Sequence, residues 1–175
     1  MTCEEIAADG LALEMRTAFD ASFAEPVQEG AAQRQPVMQI RVGTRMFAVR
    51  VLDTLGIARA GRIIAFPTRI REMLGLAGID GNLVPVFDLA ALLNVTGTGN
   101  PAFVLLVGCD VPVGLAFDAL ETTLQVALNE PGGPAAGRHI RAVVPLGSVM
   151  RPLIDIAGIR TTIKRLSSMT EPPEE

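Results

Sequence analysis

Residues 78–89 read Gly78-Ile79-Asp80-Gly81-Asn82-Leu83-Val84-Pro85-Val86-Phe87-Asp88-Leu89, and the class of fold turns on them. Leu83-Val84-Pro85-Val86-Phe87 is rich in β-branched and aromatic side chains, which suits an extended strand. Pro85 has no N–H to give to a ladder, so the sequence predicts this strand at a sheet edge or at a bulge. Asp88 then stands where a helix N-cap belongs, ahead of Leu89-Ala90-Ala91-Leu92-Leu93. The same arrangement returns later in the chain. Pro85-x-x-Asp88-x-Ala90 lines up with Pro152-x-x-Asp155-x-Ala157, a shift of 67 residues (85 to 152).

Upstream, Val37-Met38-Gln39-Ile40-Arg41-Val42 alternates, Gly43-Thr44 turns, and Met46-Phe47-Ala48-Val49-Arg50-Val51 follows, which is a β-hairpin. Its end, from Val42-Gly43 to Asp53-x-Leu55, lines up with Val107-Gly108 to Asp118-x-Leu120, a shift of 65 residues (42 to 107). The two offsets point to two similar β units, about 38–95 and 102–160, each running hairpin, crossover, edge strand and capped helical turn. Units of about 60 residues are marginal alone and gain stability by sharing an apolar seam. Thr96-Gly97-Thr98-Gly99-Asn100-Pro101 joins them. Residues 1–36 form a polar, Ala/Glu-rich helical or flexible extension in which Leu11, Met15, Phe19 and Phe23 predict a helix over about 11–24. Residues 164–175, which end Glu171-Pro172-Pro173-Glu174-Glu175, are expected to be a disordered tail.

Composition narrows the function. The chain has 175 residues, 49% hydrophobic and 19% charged, with a mean hydropathy of +0.38, which favours a packed core over disorder. Net charge is −4 and the isoelectric point about 5.1. With no Trp and no Tyr, neither bulk charge nor stacking platforms favour nucleic acid. His139 is the one histidine, and the two cysteines, Cys3 and Cys109, lie far apart, so no zinc-ligand cluster exists. Ser148 lacks the flanking glycines of a nucleophile elbow, and Gly97-x-Gly99 lacks the Lys-Ser/Thr of a phosphate loop. With Glu4, Glu5, Asp9 and Glu14 no secretory leader is expected in residues 1–25, and apolar runs such as 103–108 fall far short of the roughly 20 residues that span a bilayer. The expectation is a cytoplasmic protein without membrane insertion. Asp53, Asp88, Asp118 and Asp155 recur at matching places and read as caps and turn formers rather than acids and bases. Arg41, Arg45 and Arg50 share one hairpin, either as a solvated strand face or as a docking face for an acidic partner. High apolarity with no reactive constellation points to a protein that presents edges and grooves to other proteins.

The opening stretch also resembles the signature of CheW-like domains, in which N-L-R-G-x-x-x-P-V-x-D-L is typical. Val113-Gly114-Leu115-Ala116-Phe117-Asp118 is similar to the family's G-L-x-V-D segment, and Arg151-Pro152-Leu153-Ile154-Asp155 to its closing strand-to-helix segment. The resemblance covers about 37–163. It implies a mainly β fold of two small five-stranded SH3-like barrels packed side by side, with short helices. It also implies a non-catalytic adaptor without cofactor, coupling chemoreceptor cytoplasmic tips to the regulatory domain of a CheA-type histidine kinase. A divergent paralogue that binds the kinase or array without activating it, or a small nucleic-acid-binding barrel, is the alternative. Protein contacts are expected around Gly78, Asp80, Gly81 and Asn82, and on the hairpin carrying Arg45 and Arg50. Two departures bear on partner choice. Asp80 stands where arginine is usual, reversing the local charge, and Gly56 or Leu55 stands where a glutamate is common. Asp80 is therefore expected to re-specify the partner.

Overall fold

Alternating apolar residues and two-residue turns build most of the structure. The computed structural model describes residues 34–108, 111–127 and 137–168, all within one compact unit spanning 34–175; the helix expected at 11–24 lies outside the described residues. The strands are β1 (Arg34–Val42), β2 (Arg45–Arg50), β3 (Gly56–Arg59), β4 (Ile63–Ile64), β5 (Met73–Ile79), β6 (Asn82–Asp88), β7 (Phe103–Val107), β8 (Val113–Phe117), β9 (Ala119–Ala127), β10 (Ile140–Leu146) and β11 (Val149–Ile154). A 3-10 turn, Val51–Asp53, follows β2. Helix α1 (Leu89–Leu93) starts at Asp88, whose carboxylate accepts from the Ala90 N–H at 2.9 Å. Helix α2 (Ile156–Ser168) starts beside Asp155, whose carboxylate accepts from the Gly158 N–H at 3.1 Å. It runs five residues beyond 163, where the tail was expected to begin.

The strands form a five-stranded sheet, β10-β11-β2-β1-β9, and a six-stranded one, β3-β7-β8-β6-β5-β4. Each sheet takes strands from both halves of the chain. The β5–β6 hairpin of the first half joins the β7–β8 hairpin of the second through a parallel β6–β8 pair. The β10–β11 hairpin of the second half joins β1–β2 of the first through a parallel β11–β2 contact, Leu153 beside Ala48. The outer strands repeat the pattern, with β3 on β7 and β9 on β1. The two expected five-stranded barrels are therefore mixed sheets that, among the described residues, do not close by strand pairing. Each curls instead over its own small cluster. Val126 of β9 and Val144 of β10, on opposite edges, belong to one cluster, and Ile79, Val86 and Ala116 to the other.

Between the sheets lies the shared core. Ile40, Phe47 and Val49 of the first sheet meet Phe87, Leu105, Leu115 and Phe117 of the second, with α1 and α2 sealing it. Ile156, Ile159 and Ile163 put one face of α2 into this core, each contributing about 1.5–3 kcal/mol of burial. The strand holding Pro85 is internal rather than at an edge, while a register shift between Met73 and Gly75 of its partner β5 lies beside it. The missing donor is tolerated because Pro85 precedes Val86, where pairing to β8 begins. Pro152 likewise precedes Leu153 on β11.

The shift of 67 holds, carrying β5, β6 and α1 onto β10, β11 and α2, but the shift of 65 does not survive the hairpin. Val107 pairs with Val113 and Val42 with Arg45, since the second turn is three residues longer. Phe47, Ala48 and Val49 thus correspond to Leu115, Ala116 and Phe117, and Arg50 corresponds to Asp118. Residues 51–55 are an insertion of the first half. Asp118 fastens the joint between the halves. Its carboxylate accepts from the Gly43 N–H at 2.5 Å and from the Thr98 hydroxyl. Replacing Asp118 by alanine strands the Gly43 N–H and is expected to lower stability by about 1–3 kcal/mol. Asp53→Ala removes only a partly exposed ion pair and is expected to cost below about 1 kcal/mol. Urea unfolding followed by circular dichroism checks the contrast.

Candidate docking site

The six residues expected to make protein contacts fall in three places. Gly78, Asp80, Gly81 and Asn82 cluster at the tip of the β5–β6 hairpin, all exposed. Ile79 pairs with Asn82 across a two-residue loop in which Asp80 has φ 50° and Gly81 φ 79°, which is a type I′ turn. Asp-Gly is among the preferred pairs for that turn, because aspartate tolerates the left-handed region and glycine has no Cβ to clash. The Asn82 side-chain amide donates to the Asp80 carbonyl at 3.3 Å, and Leu83 beside it is 67% exposed. Asp80 thus has a local conformational role alongside any role in partner choice. The Asp-Gly pair between two apolar runs was a turn signal already present in the sequence.

Arg45 and Arg50 sit at opposite ends of β2, about 16 Å apart at strand rise, and in the other sheet. The guanidinium of Arg45 lies 5.5 Å over the Phe47 ring. That of Arg50 donates to both Asp53 oxygens at 2.9 and 2.8 Å, a fork that holds its pKa above the ordinary value. Beside Arg50 a groove of about 290 Å³ opens between the 51–55 insertion and the β11–α2 junction. Arg141 and Arg160 line it with Asp155 and Ala157, and Leu52 and Leu55 stand over it, 70% and 58% exposed. His139, whose carbonyl accepts from the Asp155 N–H at 2.8 Å, adds no charge near neutral pH. Burial, reinforced by Arg138, pushes its pKa below the usual histidine value against the opposing pull of Asp155. Among the described residues that line the groove are thus three arginines and two carboxylates.

A wider, mostly apolar hollow of about 480 Å³ lies between Met73, Pro85, Phe87 and Val113 on one side and Ile163 and Lys164 of α2 on the other. Sequence reasoning missed Leu52, Arg141 and Arg160, and met Leu55 only as one of two candidate positions for a departure from the family pattern. Leu52 and Leu55 break the alternation of β2, a signal that the run had left the sheet, whereas only the fold brings Arg141 and Arg160 beside them. Among the described residues no three His, Cys, Asp or Glu side chains gather as a metal site, and no helix is long and apolar enough to cross a membrane.

A family model described as CheW-like domain matches residues 36–163. Among solved structures the chain is similar to the scaffolding protein TtCheW from Thermoanaerobacter tengcongensis, with a TM-score of 0.62 at 16% identity, covering 69% of this chain and 88% of that one. At that identity the likeness speaks for the fold. No curated relative matches the sequence. If turn chemistry sets residue 80, Asp80→Asn should leave stability within about 0.5 kcal/mol, whereas Asp80→Val, a β-branched residue forced to positive φ, should cost about 1–2 kcal/mol. Thermal and urea unfolding of the two variants decides it.

Proposed function

Because the chain belongs to the CheW-like domain family, we propose that it is a non-catalytic adaptor of a bacterial chemosensory system, coupling chemoreceptor tips to a CheA-type histidine kinase through protein contacts. The observation that carries this reading is the family match over nearly all of the described chain, on a fold whose exposed features suit docking. A hairpin tip beside Leu83, and a groove rimmed by Leu52 and Leu55, put large apolar side chains in water. Such side chains gain most when a partner covers them. The scaffolding role stated for TtCheW agrees with it.

On this reading the two curled sheets act as a pair of SH3-like barrels, residues 37–163 form the functional module, and the segments before and after it are extensions. The contact residues are Gly78, Asp80, Gly81 and Asn82 at the tip and Arg45 and Arg50 on β2, and the protein works in the cytoplasm. Asp80 favours a specialised pathway, since a carboxylate where arginine is usual selects a partner with complementary charge.

Affinity purification of the tagged chain from its native host, followed by mass spectrometry, should recover a histidine kinase together with a chemoreceptor. Recovery of neither would contradict the proposal. In a reconstituted assembly of receptor, kinase and adaptor, kinase activity should rise with the chain. Binding without activation would favour the non-activating paralogue.

A further inference from the structure

The internal duplication supplies two versions of one groove, and among the described residues only one of them is filled. In the filled version the walls are Leu74, Asp88, Ala90 and Asp118, and the linker Gly97-Thr98-Gly99 lies inside, leaving about 40 Å³. Fit and hydrogen bonding both hold the linker. Any side chain at Gly43 would run into the Thr96 carbonyl, and one at Gly97 would come within 2.9 Å of the Ala90 methyl. The Thr98 hydroxyl donates to Asp118.

In the open version the corresponding walls are Arg141, Asp155, Ala157 and Arg50, and about 290 Å³ remains. The residues equivalent to the linker at the shift of 67, 163–166, do not cross it, because α2 continues as a helix to Ser168. The chemistry of the walls has changed with the occupancy. Asp118, which accepts hydrogen bonds, corresponds to Arg50, which only donates. Leu74 corresponds to Arg141, and the buried Leu93 corresponds to Arg160, which lines the groove. A hydroxyl-bearing strap suits the first groove, whereas the second asks for an acceptor with negative charge. The chain already shows the fit, since the Asp53 carboxylate lies on the Arg50 fork at 2.8 and 2.9 Å.

We propose that the open groove receives an extended, acidic segment of a partner protein, laid as residues 96–99 lie in its counterpart, with a carboxylate directed at Arg141 and Arg160. Leu52 and Leu55 then cover the segment from above. The inference rests on the docking role proposed for the chain and adds the chemistry of what docks.

The test titrates the isotope-labelled full chain by NMR with the hexapeptide Val-Thr-Gly-Asp-Gly-Asn, which repeats residues 95–100 with aspartate in place of Thr98. The unaltered linker peptide and a lysine version serve as comparisons. The aspartate peptide is expected to shift the amides of Leu52, Gly108 and Ala157, and to bind about tenfold more tightly than the lysine peptide. Arg141→Leu, which installs the residue of the filled groove at an exposed site, should weaken it several-fold with the urea midpoint unchanged. Arg141→Glu should invert the preference towards lysine. Equal binding of the aspartate and lysine peptides, shifts confined to another surface, or indifference to both Arg141 variants would overturn the proposal. So would shifts at these amides on concentrating the chain alone, which would assign the groove to a second copy. Capture of kinase and receptor reads the adaptor role separately. A chain that captures both but ignores the peptide loses this inference alone, and one that binds the peptide but captures neither loses only the adaptor role.

Discussion

The parallel β6–β8 pair, echoed by the β11–β2 contact, is the constraint on which the rest of the structure depends. Through these contacts each half lends a hairpin to the sheet completed by the other. Neither half then owns a sheet of its own, and the shared core forms only when both are in place. Long-range pairing of this kind carries a loop-closure cost that local hairpins avoid. The hairpins themselves are cheap to form, since Gly43 and Asp80-Gly81 provide positive-φ turns. The larger entropic cost lies in joining hairpins distant in sequence, and burial of Phe87, Leu105, Leu115 and Phe117 offsets it.

Exchange also explains how a duplicated chain acquires unlike surfaces. The linker has to cross from the first half to the second, and it does so through one of the two equivalent grooves, where Asp118 fixes it. The other groove carries no such burden. Its walls carry arginine where the filled groove has leucine and aspartate, at positions that are exposed (Arg141) or half-buried (Arg50 and Arg160) and outside the core. The 51–55 insertion adds Leu52 and Leu55 only on that side. A near-twofold scaffold thereby carries two unlike grooves.

Much of the fold was legible in the sequence. The β1–β2 hairpin, the strand at 83–87 and the Asp88 cap are set by local patterning, and the offset of 67 traces a real correspondence of β5, β6 and α1 with β10, β11 and α2. Three features were not legible. Pro85 pointed to an edge or a bulge because a ladder donor was missing; the strand is internal, the pairing to β8 starts one residue later, and a register shift lies beside it in β5. The equivalence of Asp53 with Asp118 failed because an insertion before β3 and a longer β7–β8 turn nearly cancel in the count. The exchange of hairpins leaves no trace in local pattern at all, as it depends on which strand a buried edge meets. The same reason hid the groove, whose walls come from residues about ninety positions apart in the chain, such as Arg50 and Arg141.

Native-state hydrogen exchange over a denaturant series reads the mutual dependence of the halves most directly. The amides of Ala48 and Leu153 in one sheet, and of Phe87 and Leu115 in the other, should exchange through the same global opening, with equal free energies and equal denaturant dependence. A sub-global opening that frees one sheet several kcal/mol before the other would contradict the account.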